Sequence, residues 1–406
     1  MLKKSLYEIG KNFSMVIVAQ IAYKIMLFIT FILIARNLGV IGFGKFSYAM
    51  AFAGLITVLA DLGTSSSLIK DTSGIDRHNT DQYLSDILSI KLIGSIAAII
   101  IVFLLGYFLH ESRQVFNVII ACIIICIFNS YIVAFRAVFR VFEKMKYDAL
   151  SIFLEGFLKL SLIILFVHFL KDNVAFILMI LLIANAIVLL ITAYIVDKKF
   201  VKIRFSVKVA AWPRIINSGA VFAFVSFFQI ANLRIGTVML SKMTTDSETG
   251  IYSVVTRIIE PLLAVPLTFI AVSFPVLSRL YKESTGLFND LKKVSVRTIC
   301  VVSMIIAVLI YFTAEVVVTK ILGVSYAAAG YALKIFCWIF IPMSIRFVLE
   351  GAALASNKRK KLYFAYTAGT IANICINALL ISMMGYKGAA VGIIVSEFIM
   401  LIFLWN

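Results

Sequence analysis

Acidic residues are scarce in this chain, with 20 Asp and Glu against 38 Lys and Arg among 406 residues. Charged residues of both signs make up only 14% of the sequence, whereas apolar residues make up 62%, and the mean hydropathy is +1.05. A soluble globular domain carries about 25% charged residues, because its surface is hydrated. The composition therefore excludes a water-soluble protein and indicates an integral membrane protein.

Residue types that usually carry catalysis or bind metals are few as well. The three histidines, His78, His110 and His168, are scattered, and no Cys or His pair has the spacing of metal ligands. The five cysteines lie inside apolar runs, where a thiol behaves as a small apolar side chain. No glycine-rich phosphate-binding loop follows a strand, and no polar region is long enough for a catalytic domain. We therefore predict that the protein is not an enzyme and binds no metal or cofactor.

Long apolar runs are what the chain has in abundance. Several uncharged runs reach the ~20 residues that a helix needs to cross the ~30 Å hydrocarbon layer. Their continuity favours helices over the short alternating segments of a membrane β-barrel. We predict an all-α integral membrane protein with about twelve spans, near residues 13–35, 45–69, 90–109, 115–137, 149–170, 173–196, 215–240, 250–278, 296–314, 330–355, 362–385 and 388–405.

The distribution of basic residues predicts how these spans are oriented. The N-terminus and the loops after even-numbered spans hold 24 Lys and Arg residues, Lys91 among them, whereas the opposite loops hold seven. Because Lys and Arg concentrate in cytoplasmic loops, we predict that both termini are cytoplasmic. The same bias accounts for most of the net charge of +18, so no nucleic-acid partner is needed to explain it.

Seven basic residues fall inside the predicted spans: Lys24, Arg136, Lys159, Arg234, Arg257, Lys334 and Arg346. An ionised side chain at the centre of a span costs about 2.5–3.5 kcal/mol, so each needs a partner, a watery cavity or a short reach to the interface. Glu155 lies four residues before Lys159, and Glu350 lies four residues after Arg346. Each pair is either a local ion pair on one helix or part of a functional site, and spacing alone favours neither.

The depth of the other cations distinguishes them. Arg136 and Lys334 lie near span ends, from which we expect their side chains to extend to the interface. Lys24 stands about eleven residues, or roughly 16 Å, from either end of span 1, beyond the reach of its side chain. Arg234 is also well inside its span, and neither residue has an acid three or four positions away. We predict functional roles for Lys24 and Arg234.

Span 8 contains the stretch VVTRIIEPLLAVPLTF, in which Arg257 and Glu260 are three residues apart and so share one helix face. Glu260 is a candidate counter-ion of Arg257. A proline inside a helix removes a backbone hydrogen bond, and the freed groups are tolerated at membrane depth where they line a water-filled cavity. We therefore predict that Arg257 faces a cavity and that spans 8 and 10 have hinges at Pro261, Pro266, Pro275 and Pro342.

A faint internal repeat favours two similar halves. The motifs QIAYK and GKFSY, which begin at Gln20 and Gly44, return as QIANLR and GIYSV, which begin at Gln229 and Gly250. The offsets are 209 and 206 residues, and six spans per half would give both halves the same orientation. We predict an N-terminal lobe over residues 1–196, a cytoplasmic linker over 197–214 and a C-terminal lobe over 215–406. Lys24 and Arg234 occupy nearly matching places in this alignment and would then face each other across a central cleft.

The stretch IARNLGVIGFGKFSYAMAFAGLITVLADLGTSSSLIKD, residues 34–71, resembles the first-to-second-span signature of the Wzx-type O-antigen and capsule flippases of the MOP superfamily. The shared features are the RNLG turn, the GFGKFSYA start of span 2 and the DLG at its end. The resemblance implies two six-helix lobes around a V-shaped cavity in a bacterial inner membrane. It also implies a lipid-linked oligosaccharide on undecaprenyl diphosphate as cargo, and polysaccharide polymerase machinery as a further partner. Lipid II flippases usually have fourteen spans, whereas about twelve are predicted for this chain.

The buried cations suit such a cargo. Undecaprenyl diphosphate carries its negative charge between lipid and sugar, and a guanidinium binds phosphate through two parallel hydrogen bonds. Our hypothesis is that Lys24, Arg234 and Arg257 bind the diphosphate while the glycan lies in the cavity and the polyprenyl tail stays in lipid. Gln20, one turn from Lys24, and Asn232 are further candidates for sugar contacts.

The main alternative is a multidrug or cation antiporter of the same fold. A cavity for cationic drugs would be lined by unpaired acids, whereas the central unpaired charges here are basic. Asp61 and Glu397 are exceptions, and either could bind H⁺ or Na⁺ as a coupling ion, although solvation at a helix end is an alternative for Asp61. The other candidates for ion coupling or charge pairing are Glu155, Glu260 and Glu350. A membrane scaffold that transports nothing would leave both the buried charges and the prolines unexplained.

Overall fold

Helices make up almost the whole of the described chain. The computed structural model describes residues 2–72, 77–108, 111–204 and 212–405, and of residues 2–14, 77–79 and 359 only the backbone. Fourteen α-helices and short 3₁₀ turns cover these ranges, in which no strand occurs. The predicted all-α class is therefore confirmed. Part of the predicted linker over 197–214 lies outside the described residues.

The helices follow one another with short connections. The first seven are α1 (Leu2–Asp61), α2 (Thr64–Thr72), α3 (Arg77–Phe108), α4 (Arg113–Val141), α5 (Met145–Leu165), α6 (Val174–Lys199) and α7 (Trp212–Met243). The others are α8 (Asp246–Leu262), α9 (Ala264–Glu283), α10 (Thr285–Leu322), α11 (Ala327–Phe336), α12 (Phe340–Ala355), α13 (Arg359–Met384) and α14 (Tyr386–Trp405).

Several helix ends are fixed by local side-chain chemistry. The side chain of Asn173 accepts a hydrogen bond from the backbone N–H of Phe176 at 3.0 Å, and Thr245 caps α8 in the same way. Such caps satisfy backbone donors that have no partner inside the first turn. At the end of α10, Gly323 has a φ of +96°, a conformation that glycine adopts without steric cost.

Ten helical segments within the described ranges are long and apolar enough to cross a membrane. One of them, Met15–Thr72, has 58 residues. At 1.5 Å per residue it would extend about 87 Å, enough for two crossings of a ~30 Å layer, and Gly39 interrupts its helix with a φ of +63°. Helix α5 is not among the ten, because four charged residues lie in its 21 positions. The chain is a multi-pass membrane protein, and the count of twelve spans stays a prediction.

Large apolar side chains cover much of the protein surface. On α3, for example, Ile93, Ile96 and Ile100 are each about half exposed, whereas Ala98 and Val102 on the same helix are fully buried. Exposed apolar surface of this extent is unstable in water and suits contact with lipid chains.

The predicted bend of span 8 coincides with the junction of α8 and α9. Pro261 is the penultimate residue of α8, and Pro266 lies in the first turn of α9, where a missing N–H costs no helical hydrogen bond. Pro275 lies inside α9. Pro342 likewise occupies the first turn of α12, directly after a 3₁₀ turn at Cys337–Ile339. Whether these four prolines act as hinges stays a prediction.

The chain packs into two compact units. The first unit contains residues 1–38 and 52–227, and the second contains residues 39–51 and 228–406. Both α1 and α7 therefore contribute residues to each unit. The lobe boundaries derived from the repeat stay a prediction, as does the placement of Lys24 opposite Arg234.

Two repeat-related glycines make a reciprocal backbone contact inside the second unit. A Cβ atom added to Gly44 would overlap the carbonyl oxygen of Asp246, and one added to Gly250 would overlap the carbonyl oxygen of Val40. The two glycines are 206 residues apart, and so are their partners Val40 and Asp246; this is also the offset of the GKFSY and GIYSV motifs. The two helix starts thus cross at a distance that only a residue without a side chain permits.

We expect Gly250→Ala to destabilise the protein by about 1–3 kcal/mol, because the added methyl group must push two backbones apart. Thermal unfolding of the detergent-purified full chain measures this. Gly54→Ala is the matched control: it is also helical and has open space around the added methyl group. The control should be neutral or stabilising by about 0.5–1 kcal/mol. Equal melting temperatures for the two variants would contradict the close crossing.

Candidate substrate site and buried charge clusters

The two arginines predicted from α7 and α8 converge on one carboxylate. Glu260 Oε1 lies 2.8 Å from Arg234 Nη1, and Glu260 Oε2 accepts a hydrogen bond of 2.9 Å from Arg257 Nη1. We call these three residues the arginine clamp. The prediction that Arg234 is unpaired is wrong, because its partner lies 26 positions further along the chain on another helix.

The arginine clamp keeps both a net charge and access to its surroundings. Two guanidinium groups and one carboxylate give it a formal charge of +1. The side chain of Arg234 is 22% exposed, that of Arg257 14% and that of Glu260 26%, so all three are partly accessible. A guanidinium presents five N–H donors in a planar fork that matches the oxygens of a phosphate group. The arginine clamp therefore has the charge and the donors to bind an anion with several oxygens.

A second charged cluster lies in the first unit around Glu155. Its carboxylate accepts hydrogen bonds from Lys159 at 2.5 Å, Arg136 at 2.9 Å and Tyr23 at 3.1 Å. The local pair of Lys159 with Glu155 is therefore present. Arg136 does not extend to the interface as expected, because it is buried and also bonds Ser151 through its Nε and Nη2 atoms.

The two other substrate-binding candidates of the first unit flank this cluster on α1. Lys24 follows Tyr23 directly and is half-buried, whereas Gln20 is exposed. They sit on the same helix as Tyr23, one turn apart. Their predicted roles in binding phosphate and sugar stay predictions.

A third cluster lies in the second unit around Arg346. Arg346 Nε donates to Glu397 at 2.6 Å, and Arg346 Nη1 donates to Tyr366 at 2.9 Å and to Glu350 at 3.4 Å. The hydroxyl of Tyr366 donates to Glu350 at 2.7 Å, and Gln229 donates to Tyr366 at 2.9 Å. The local pair of Arg346 with Glu350 is thus present, but the shorter contact is to Glu397, 51 residues away on α14.

Amide side chains extend this third cluster. Asn232 donates to Glu397 at 2.9 Å and accepts from Asn373 at 2.7 Å, and Asn377 donates to Asn373 at 2.6 Å. Asn232 is buried, and its side chain is held by these contacts. Tyr366, Asn373 and Asn377 were not predicted as site residues, although polar residues recur at helical spacing along span 11: Tyr366, Thr370, Asn373 and Asn377.

The charges of the third cluster do not balance. Arg346, Glu350 and Glu397 are 4%, 13% and 0% exposed, and two carboxylates with one guanidinium leave a formal charge of −1. Buried charge of this kind requires a further positive charge or a proton. Nowhere in the described ranges do three or more His, Cys, Asp or Glu residues form a group that could hold a metal ion.

The clusters around Glu155 and Arg346 share one plan. In each, an arginine bonds a residue on the following helix, and a residue from the first helix of the half donates to that same residue. The matching positions are Arg136 and Arg346, Glu155 and Tyr366, and Tyr23 and Gln229, at offsets of 210, 211 and 206 residues. The first two offsets lie close to the 209 residues of the QIAYK repeat. That repeat aligns Gln229 with Gln20, so Tyr23 and Gln229 make equivalent contacts from positions about one helical turn apart.

Asp61 is the last residue of α1, and its partly exposed side chain is paired with a buried lysine. Its carboxylate contacts the ammonium group of Lys91 and accepts a hydrogen bond from Ser65 at 2.7 Å. Lys91 is fully buried in α3 and also donates to Ser130 at 2.8 Å. Counting Lys91 among the loop cations was therefore wrong, because a partner 30 residues earlier stabilises it inside the protein.

Comparisons with known proteins agree with this architecture. The family model described as "Polysaccharide biosynthesis protein" matches residues 9–281. The chain is 23% identical over 401 residues to the capsular polysaccharide biosynthesis protein CapF of Staphylococcus aureus, and the match covers 97% of both chains.

Two solved structures share the fold. One is the lipid II flippase MurJ in an inward closed conformation, with a TM-score of 0.75, 16% identity and coverage of 96% of this chain and 86% of that one. The other is a multidrug resistance MATE family transporter of the MOP superfamily in an inward-facing conformation, with a TM-score of 0.73, 15% identity and coverage of 94% and 93%. The resemblance seen in residues 34–71 is confirmed, and the chain belongs to the polysaccharide biosynthesis protein family.

Proposed function

We propose that the protein moves an oligosaccharide linked to undecaprenyl diphosphate from the cytoplasmic to the outer leaflet of a bacterial inner membrane. The observation that carries the proposal is the arginine clamp, which is partly exposed and cationic within a membrane protein of a polysaccharide biosynthesis family. The diphosphate is the part of such a cargo with concentrated negative charge, and guanidinium groups bind phosphate in bidentate geometry.

In this mechanism Arg234 and Arg257 bind the diphosphate, and Lys24 supplies a third cation. The glycan lies in a polar cavity with Gln20 and Asn232 as its candidate contacts, while the polyprenyl tail remains in lipid. Rocking of two six-helix lobes, with bends at the prolines of spans 8 and 10, exposes the site to each side in turn. Both termini are cytoplasmic in this arrangement, and polymerase machinery receives the exported unit.

A multidrug or cation antiporter is the second candidate, because MATE transporters share the fold. The charge of the arginine clamp opposes that assignment, since a formal charge of +1 repels a cationic drug. Likeness of fold alone does not decide between the two functions.

We expect Lys24→Ala, Arg234→Ala and Arg257→Ala to lower transport by at least about tenfold each, because a hydrogen bond to a charged group contributes roughly 1.5–3 kcal/mol. The measurement complements a deletion strain with each variant at matched membrane levels. Surface polysaccharide and lipid-linked repeat units left inside the cell are then quantified together.

Arg279→Ala is the matched control, because Arg279 is 67% exposed and pairs only loosely with Glu283 at 3.9 Å. It should complement like the wild type. Unchanged surface polysaccharide in the deletion strain would refute the flippase proposal, and a change in drug sensitivity there would support the antiporter. Full complementation by all three alanine variants would refute the cationic site.

We further propose that the third cluster binds the coupling ion. Its excess carboxylate, shared by Glu350 and Glu397 around one arginine, is neutralised by one H⁺ or one Na⁺. Glu155 is less suited because it has two cationic partners, and Asp61 has the buried Lys91 as its partner. Glu260 is assigned to charge pairing in the arginine clamp.

Glu397→Gln should uncouple transport from the ion gradient, because the amide cannot take up a proton or balance a cation. In proteoliposomes loaded with lipid-linked oligosaccharide, we expect an imposed pH or Na⁺ gradient to accelerate wild-type flipping and to leave the variant unchanged. Glu283→Gln removes the same charge from an exposed position and should retain the response. An equal gradient response of Glu397→Gln and the wild type would assign coupling elsewhere.

A further inference from the structure

Glu260 occupies the position in the arginine clamp that a phosphate group would take. One oxygen of its carboxylate faces Arg234 on α7, and the other accepts from Arg257 on α8. We propose that Glu260 is an internal competitor of the substrate: it holds the two arginines until diphosphate displaces it, and it weakens their binding of ordinary single-phosphate lipids. The inference rests on the proposed function, because it assumes that the arginine clamp binds the diphosphate.

The geometry supports an exchange of one oxyanion for another. Carboxylate and phosphate both offer a pair of oxygens to a guanidinium, and arginine binds either in the same planar arrangement. The contact of Arg257 with Glu260 is an aligned hydrogen bond, whereas Glu260 Oε1 makes none and meets Arg234 only as an ion pair. The carboxylate thus makes an aligned hydrogen bond with Arg257 but not with Arg234. A ligand with more oxygens can accept hydrogen bonds from both arginines.

Charge determines which ligand displaces Glu260. A phospholipid such as phosphatidylglycerol carries one negative charge, so replacing the carboxylate with its phosphate leaves the electrostatic balance unchanged. A diphosphate between two organic groups carries two negative charges, one for each arginine. With Glu260 still in place, its carboxylate and the diphosphate would compete for the same two guanidinium groups, and the repulsion between these anions favours release of the carboxylate.

Competition between Glu260 and lipid phosphate affects which lipids occupy the arginine clamp in a membrane. Single-phosphate lipids far outnumber lipid-linked oligosaccharides in a bilayer, and an open pair of arginines would bind them by mass action. A competitor inside the protein lowers the affinity for both ligands by the same factor. The ratio of the two affinities stays the same, so Glu260 lowers the occupancy by single-phosphate lipids, and the second charge of the diphosphate determines the preference between the two ligands.

Glu260→Gln tests the inference, because the amide keeps the size of the side chain and removes its charge. Two probes are titrated against the purified full chain: undecaprenyl-diphosphate-linked N-acetylglucosamine and phosphatidylglycerol, with bound lipid counted by native mass spectrometry. We expect the variant to bind both at least about tenfold more tightly, since one charge interaction of roughly 1.4 kcal/mol is a factor of ten. Phosphatidylglycerol should then inhibit diphosphate binding by the variant at a concentration about tenfold lower than it needs with the wild type.

Two further variants make the test specific. Glu260→Asp keeps the charge and should retain resistance to phosphatidylglycerol, which also shows whether the position tolerates substitution. Glu283→Gln removes an exposed charge next to Arg279 and should bind both probes like the wild type. Weaker diphosphate binding by a folded Glu260→Gln variant would overturn the inference, since it would show that Glu260 only positions the arginines.

Arg234→Ala and Arg257→Ala separate the inference from the function on which it rests. Diphosphate binding that is lost in both alanine variants but unaltered by Glu260→Gln overturns the internal competitor alone. Diphosphate binding that survives both alanine variants overturns the proposed site itself. Loss of binding in the alanine variants, together with stronger phosphatidylglycerol inhibition of Glu260→Gln than of the wild type, supports both.

Discussion

A charge inside the hydrocarbon layer is stable only beside an opposite charge or a strong polar partner, and the interior of both units is arranged around this constraint. Glu155 serves two cations and a tyrosine, Lys91 is enclosed with Asp61, and Arg346 joins two glutamates. Each cluster ties together helices that are distant in sequence. Charge pairing therefore helps to hold the helices of these units together, as the burial of apolar side chains does in a soluble protein.

The clusters differ in their balance of charge, and this difference separates their proposed roles. Lys91 and Asp61 neutralise each other, which suits a structural tie. The arginine clamp carries an excess positive charge at a partly exposed position, whereas the Arg346 cluster carries an excess negative charge in the interior. An anionic substrate and a small cation are the respective ligands that would restore balance. The proposed function would thus place a cargo site and a site for a driving ion in one chain.

Local spacing in the sequence predicted the fold class and the short-range ion pairs but missed the partners that determine the sites. The pairs of Glu155 with Lys159 and of Arg257 with Glu260 follow from helical periodicity, which places residues three or four apart on one face. Arg234 with Glu260 and Arg346 with Glu397 join separate helices, so no periodicity within one helix reveals them. Arg136 was expected to reach the interface because it lies near the end of its predicted span. Its partner Glu155 belongs to another helix, α5, so no local pattern indicated that the side chain is buried.

The reciprocal crossing of Gly44 and Gly250 has a consequence for how the two halves of this chain could diverge. Each glycine lies against the backbone of the other copy, so a side chain gained by one repeat would clash with the other. At the polar clusters no such reciprocity exists, and Glu155 in one half corresponds to Tyr366 in the other. In a chain with two such repeats, the polar residues of each repeat can change independently. The glycine at the crossing point must be kept in both repeats.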